Sequence, residues 1–279
     1  MKQRSILFGF FIGCALFAAT SGAAQPSAGR VGCPHCINDG SEVSQLLQQV
    51  DGLYAAFKTK EALQALSRVL QLEPNHYEAL SKTARGYIDL GDMIPESEPN
   101  FQEKKVKQYQ IAEEYARKAV RLDDKGTWGH FYVAAALGKI ASHASVSKQI
   151  DLAAEIRSEL EKAIAADPQN GFAYHVYAMW HRRMAEVGST SRFLASAFLR
   201  RSVPEGNLNT ALEYHKKALG LNPTVISHHL ELGKTYIAMG KFDVSRAELK
   251  SSLTFPIQFS DDPIHKKEAE KLLREISDR

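Results

Sequence analysis

Four short phrases, LQLEPN, VRLDDK, IAADPQN and LGLNPT, punctuate this chain at Pro74, Asp124, Pro168 and Pro223. Each closes one run of helix-spaced apolar residues and opens the next. Proline suits such a point because it cannot continue a preceding helix yet fits the start of a new one. From Glu42 onward apolar residues recur at helical spacing, and strand-like alternation is nearly absent. Ala, Leu, Glu and Lys dominate, as helices favour. The chain is therefore expected to be all-α.

The segment after Pro74 places Leu80, Thr83-Ala84, Tyr87 and Gly91 in the same order as His229, Leu232-Gly233, Tyr236 and Gly240 after Pro223. Both follow the W-x₂-L-G-x₂-Y spacing of a tetratricopeptide first helix. The stretches around Ala62, Leu66, Val69-Leu70 and around Ala211, His215, Ala218-Leu219 supply the matching second helices. Small residues such as Ala84 and Gly233 let the paired helix approach, and large ones wedge between the two. The spacing is irregular: Pro74 to Asp124 is 50 residues, Asp124 to Pro168 is 44 and Pro168 to Pro223 is 55. The excess over a strict repeat falls within MIPESEPNFQEKK, read as a polar loop, within SHASVSKQIDL, read as a lengthened helix, and within GSTSRFLASAFLRRSVPEG. The expected architecture is about five tetratricopeptide-like helical hairpins in a right-handed solenoid, closed by a charged C-terminal capping helix at DDPIHKKEAEKLLREISDR.

The N terminus has the layout of a secretory signal: Lys2 and Arg4, an apolar run from Ile6 to Ala19, then small residues up to Gln25-Pro26. The run is short for a membrane span, which needs about 20 residues. Cleavage near Ala23 or Ala24 divides the chain into a signal peptide at 1–24, a flexible Gly/Pro/Ser-rich linker at 25–41 and a repeat domain at 42–279. The expectation is a periplasmic or secreted protein with no transmembrane span after cleavage. A lipid anchor at Cys14 is the weaker alternative, because the apolar run continues past it. Cleavage also removes Lys2 and Arg4 from a chain of formal charge +3, leaving it almost neutral. No nucleic-acid footprint is visible in such a balance.

One stretch is more specific. IRSELEKAIAADPQNGFAYHVYAMWHRRMAEV is followed by SRFLASAFLRRSVPEGNLNTALEYHKKALGLNP. Through Lys162-Ala163-Ile164, Pro168, Trp180, Ala185-Glu186, Arg192, Pro204, Ala211-Leu212 and Ala218, the chain resembles the regulator of microtubule dynamics family, over roughly residues 45–255. The resemblance implies a helical-repeat fold without catalytic residues. Animal members of that family are linked to microtubules, and a membrane-tethered relative to organelle contacts and lipid binding. The signal-like N terminus departs from those members and suggests an exported, bacterial one, so what carries over is the fold and an interaction role.

Cys33-Pro34-His35-Cys36 would remain as the only cysteine pair of an exported chain. A redox dithiol of this spacing needs a surrounding α/β domain, which a helical chain does not supply. Haem attachment would need His where Ile37 stands, and a zinc site lacks an apparent fourth ligand. A local disulfide between Cys33 and Cys36 is the expected state in an oxidising compartment, with a redox or metal role as alternatives. Ser145-x-x-Lys148 lacks its companion motifs, and no Walker, Rossmann, G-x-S-x-G or H-E-x-x-H signature occurs. No catalytic residue, metal ligand or cofactor is expected.

In such arrays the first helix of each pair lines a concave groove. Pair spacing places Arg85, Asp89, Trp128, Phe131, Lys139, Phe172, His175, Met179, Arg182, Leu230, Lys234 and Ile237 there. Aromatic and arginine side chains are common recognition anchors. The groove is expected to bind a protein or peptide partner, as a non-enzymatic scaffold; alternatives are carriage of a lipid or other anionic amphiphile, and a thiol–disulfide role for the CPHC tail. The competing reading packs Trp128, Phe131 and Phe172 between helices. Two further expectations concern single features: Arg182→Glu with Lys234→Glu would weaken binding of an acidic partner without unfolding the chain, and the apolar stripe Phe193, Leu194, Ala197 and Phe198, flanked by Arg192, Arg200 and Arg201, folds back over the repeat core, with a membrane-surface or partner helix as the alternative.

Overall fold

The computed structural model describes residues 41–279; the signal-like segment, the linker and the CPHC cysteines lie outside the described residues. Helices succeed one another along them: α1 (Glu42–Ala55), α2 (Thr59–Leu72), α3 (Tyr77–Asp92), α4 (Phe101–Leu122), α5 (Thr127–Ser142), α6 (Val146–Ala166), α7 (Gly171–Glu186), α8 (Ser189–Leu199), α9 (Leu208–Leu221), α10 (Ile226–Ala238), α11 (Phe242–Thr254) and α12 (Asp262–Glu275). No strand occurs among the described residues. The pairs α1/α2, α3/α4, α5/α6, α7/α9 and α10/α11 pack as successive hairpins, and α12 closes the stack against α10 and α11.

The four punctuating phrases fold into one recurring turn. The amides of Glu73, Asp123, Asp167 and Asn222 donate to the carbonyls of Val69, Ala119, Ala163 and Ala218, ending each outgoing helix. The amides of His76, Gly126, Asn170 and Val225 then donate to the carbonyls of Glu73, Asp123, Asp167 and Asn222. Two repeats add a matching histidine tie. His130 bonds through Nε2 to the Asp124 carbonyl at 2.8 Å and through Nδ1 to Glu159 at 2.6 Å. His229 does the same with the Pro223 carbonyl at 3.0 Å and Glu248 at 2.8 Å. Each ring thus bonds its own turn to the second helix of its hairpin, so the internal repetition extends to side-chain chemistry.

Small residues set the helix spacing where the sequence places them. A Cβ on Gly233 would lie 2.9 Å from Leu249, and one on Gly91 2.3 Å from the Tyr109 ring. Leu249, Leu160 and Leu66 are fully buried between paired helices; each such side chain contributes about 2 kcal/mol by leaving water. The excess length is absorbed in three ways. In the second hairpin the loop ends at Asn100, with φ 57°, and the expected polar FQEKK is already helix. In the third, α6 is lengthened. In the fourth, α8 intervenes. The fold-back expected for α8 is not found: Ala195 is its only buried residue, while Phe193 and Phe198 are 68% and 77% exposed. Arg192 holds the insertion instead, donating to the carbonyls of Val187 at 3.1 Å, Val203 at 2.9 Å and Pro204 at 3.2 Å.

The link between α11 and α12, residues 255–261, takes a less expected course. It leaves the end of the stack and runs across the inner face. Phe259 is buried against Phe172 of α7, ring centroids 6.4 Å apart. Phe259 and Ser260 share a small pocket with Tyr54, Phe57, Thr59, Arg85 and Asp89 from the first two hairpins. The Gln258 side-chain amide reaches the Thr224 carbonyl at 3.2 Å and its hydroxyl at 3.1 Å. The last link of the chain therefore bridges its first and last repeats.

Candidate functional site

The inner face is built from α3, α5, α7 and α10, with 255–261 lying on it. Its N-terminal half is charged. The Arg85 guanidinium sits 3.8 Å from the centre of the Tyr54 ring and 3.7 Å from Asp89 Oδ2. One turn on, Lys139 Nζ donates to both Asp92 oxygens at 2.7 Å, and the Tyr109 hydroxyl donates to Asp92 at 2.8 Å. Burial, with Asp92 and Asp261 nearby, pushes the Asp89 carboxyl up to about 7 against the pull of Arg85. Burial likewise pushes Asp261 up to about 6.

An aromatic cluster occupies the centre. Trp128 meets Phe131 edge-on at 5.7 Å and lies 6.3 Å from Phe172; Phe172 in turn meets His228 at 5.6 Å. Beyond it His175, His215 and His228 are fully buried, with His175 4.4 Å from His228 and 5.7 Å from His215. Burial holds all three well below the ordinary histidine value, His215 at about 3. At the C-terminal end Arg182 donates to buried Glu231, whose other oxygen accepts from Lys234 at 2.7 Å. Burial alone would raise Glu231; Lys234, Arg182 and Arg183 outweigh it and keep the carboxylate ionised.

The sequence-predicted groove residues are thus brought together, but mostly as interior. Arg85, Asp89, Phe131, Lys139, Phe172, His175, Met179, Arg182 and Leu230 are buried; Trp128, Lys234 and Ile237 are partly so. For Trp128, Phe131 and Phe172 the packed reading is the one observed. The expectation for Arg182→Glu needs correction, since reversing that charge would set two carboxylates face to face in a buried site. Cys33 and Cys36 lie outside the described residues. Sequence reasoning missed Tyr54, Phe57 and the 255–261 link. Phe57 carries the clearest local signature: it is exposed and adopts φ 58°, a conformation bulky residues rarely take, at the rim of the pocket that holds Phe259 and Ser260.

Asp261, Asp262 and His265 are the one group among the described residues whose ligand atoms come close enough to hold a metal, within 4.8 Å of one another. No sequence motif pointed to ligands there. Asp262 Oδ2 is already used, accepting the amides of Gln258 at 2.8 Å and Phe259 at 2.9 Å. His265 lies between both carboxylates; although burial opposes its charge, they raise its pKa. The cluster reads as the N-terminal lock of α12. No described helix is long and apolar enough to cross a membrane.

The residues that carried the family resemblance hold structural posts. Trp180 Nε1 donates to the Ala153 carbonyl at 2.9 Å, joining α7 to α6. Ala211 and Ala218 are fully buried where α9 meets its neighbours. Arg192 grips the loop that contains Pro204. The family described as Regulator of microtubule dynamics protein 1-3 matches residues 46–277. Regulator of microtubule dynamics protein 1 of Bos taurus is 28% identical over 239 residues, 85% of this chain and 73% of that protein. Regulator of microtubule dynamics protein 3 of Rattus norvegicus is 24% identical over 235 residues, 83% of this chain and 48% of that protein. Among solved structures, a thermophilic TPR protein of Thermus thermophilus superposes with a TM-score of 0.59 at 19% identity, covering 82% of this chain and 99% of that one. That likeness bears on the fold alone, and it is the tetratricopeptide-type helical repeat. Matched across its hairpins from the first helix to the last, the chain belongs to the Regulator of microtubule dynamics protein 1-3 family.

Proposed function

We propose that the chain is a non-enzymatic scaffold that binds a protein or peptide segment on its inner face, and that it works after export. The observation that carries this reading is the inner face itself, which holds the 255–261 link through Phe259 against Phe172, a ring braced in turn by Trp128. Such side chains contribute contact area at little entropic cost and dominate recognition surfaces. Crosslinking and pull-down from the cells that make the protein tests it. Crosslinks from a captured protein to α3, α5, α7 or α10 are expected; crosslinks confined to α4, α6 and α9 would contradict the assignment. A lipid that co-purifies in native mass spectrometry would argue for a carrier instead. Export rests on the signal-like residues 1–24; the intact mass should lack them. Thiol alkylation without reductant should leave Cys33 and Cys36 unmodified if they form the local disulfide.

A further inference from the structure

The link between α11 and α12 is longer than the repeat turns and does not take the short way. Its first residue, Phe255, is extended at φ −74°, ψ 147°, and its ring stacks on His229 at 5.1 Å. Ile257 then points to solvent, half exposed, while Phe259 is 3% exposed on the inner face. Phe259 is the one buried residue of the link, and the chain turns there, the Phe259 carbonyl accepting the Asp262 amide at 3.1 Å. Phe259 is the anchor: it meets Phe172 edge-on, and Phe172 is itself braced by Trp128 and His228. Two residues on, Asp261 Oδ2 lies 3.8 Å from His265 Nε2, and burial outweighs the pull of His265 and Lys139 on its charge.

We propose that residues 255–261 are a built-in occupant of the binding face, and that a partner enters by displacing them with a segment of the same chemistry: an aromatic side chain followed two residues later by a carboxylate. This rests on the scaffold reading above and specifies the partner that reading leaves open. Three observations support it. Gln258 ties the link to Thr224 through hydrogen bonds exposed to solvent, which exchange readily with water. Phe57, in the left-handed conformation that ends α1 with the Lys58 amide bonded to the Leu53 carbonyl at 2.8 Å, stands exposed beside the pocket and leaves an aromatic ring at its edge. The charges facing the link are divided: Arg85 of α3 and Lys139 of α5 attract a carboxylate, whereas Asp89 and Asp92 of α3 and Asp262 of α12 repel it, with His265 beside it. An occupant held by mixed charges is replaceable; one held by matched ion pairs throughout would not be.

The test is fluorescence anisotropy with a labelled synthetic peptide, TFPIQFSDDPIHK, against the purified protein and its Phe259→Ala variant. If the resident link is docked for all but a tenth of the time or less, apparent affinity scales with the open fraction, and the variant should bind the peptide at least about tenfold more tightly than the native protein. A peptide with Ala in place of its second Phe should lose that binding. Equal affinities for both proteins, or no binding to the variant, would overturn the proposal. Circular dichroism checks the variant's fold. Should it fail, Gln258→Ala, which removes only exposed hydrogen bonds, should still raise affinity above that of the native protein, and no increase would overturn the proposal. A captured protein partner that binds native and Phe259→Ala chains equally would leave the scaffold reading intact and remove this one. Peptide binding confined to the variant, with no partner crosslinked to the inner face, would sustain the resident occupant and count against the scaffold.

Discussion

The two halves of the inner face bury polar groups by opposite means. Around α3 and α5 the structure sets acids beside bases, Arg85 with Asp89, whose burial favours the protonated form, and Lys139 with Asp92. Around α7, α9 and α10 it buries three uncharged imidazoles beside a single ionised knot of Arg182, Glu231 and Lys234. The two halves should therefore answer pH in opposite directions. Asp89 and Asp261 hold protons in the fold up to about 7 and about 6 that the unfolded chain releases near 3.8. Their stabilising contribution is complete below that lower value and fades as pH rises through the upper ones. His175, His215 and His228 refuse protons that the unfolded chain accepts below 6.5. Their contribution is complete above 6.5 and is lost as pH falls toward the folded values. One end of the groove is loosened as pH rises toward 7 and the other as pH falls below 6.5.

The largest expected effect is at the ionised knot. Arg182→Glu leaves buried Glu231 facing a second carboxylate and should cost about 4 kcal/mol in urea unfolding, the usual scale for breaking a buried pair. Lys139→Met, at the other end, breaks a pair whose acid is partly solvated and still hydrogen-bonded by Tyr109; about 2 kcal/mol is expected there once solvent screening is allowed for. Equal costs would erase the distinction between the halves.

The pH contrast can be dissected one group at a time. His215→Leu should flatten the loss of stability on acidification by up to about 1.4 kcal/mol per pH unit, the weight of one proton. Asp89→Asn should act with the same weight and opposite sign, flattening the loss as pH rises toward 7. Urea midpoints of both variants across this range would check it; if both flatten the same limb, the two-ended account fails. The smallest effect is expected at α8. Phe198→Ser removes a side chain that is 77% exposed and should change stability by less than about 0.5 kcal/mol. A larger loss would mean that the stripe packs after all.

The hairpins were legible because their determinants are local. Pro74, Asp124, Pro168 and Pro223 mark turns that one set of backbone hydrogen bonds repeats, and Gly233 marks a contact with Leu249 inside its own hairpin. The groove residues were legible as a set for the same reason, since pair spacing decides which face of a first helix looks inward. Their burial was not. It depends on contacts that no helical period encodes: the 255–261 link returns to Phe172, Arg85 and Tyr54, α12 packs on Leu230, and Glu231 of α10 meets Arg182 of α7. The stretch TFPIQFSDD does carry a trace of this, two phenylalanines in a break between helices. Likewise the role of Arg192 lies in the carbonyls it gathers, whereas the neighbouring phenylalanines dominate the sequence pattern without deciding the packing.

The central claim is that the resting protein fills its own inner face. Hydrogen–deuterium exchange across residues 255–261 of the native chain tests it most directly. The Phe259 amide is bonded to Asp262 and its ring is buried against Phe172, so the stretch should exchange far more slowly than a free peptide. That protection should disappear in Phe259→Ala while α5 and α6 keep theirs. Exchange at the free-peptide rate in the native chain would contradict the account, because the link would then lie in solvent and the groove would stand open.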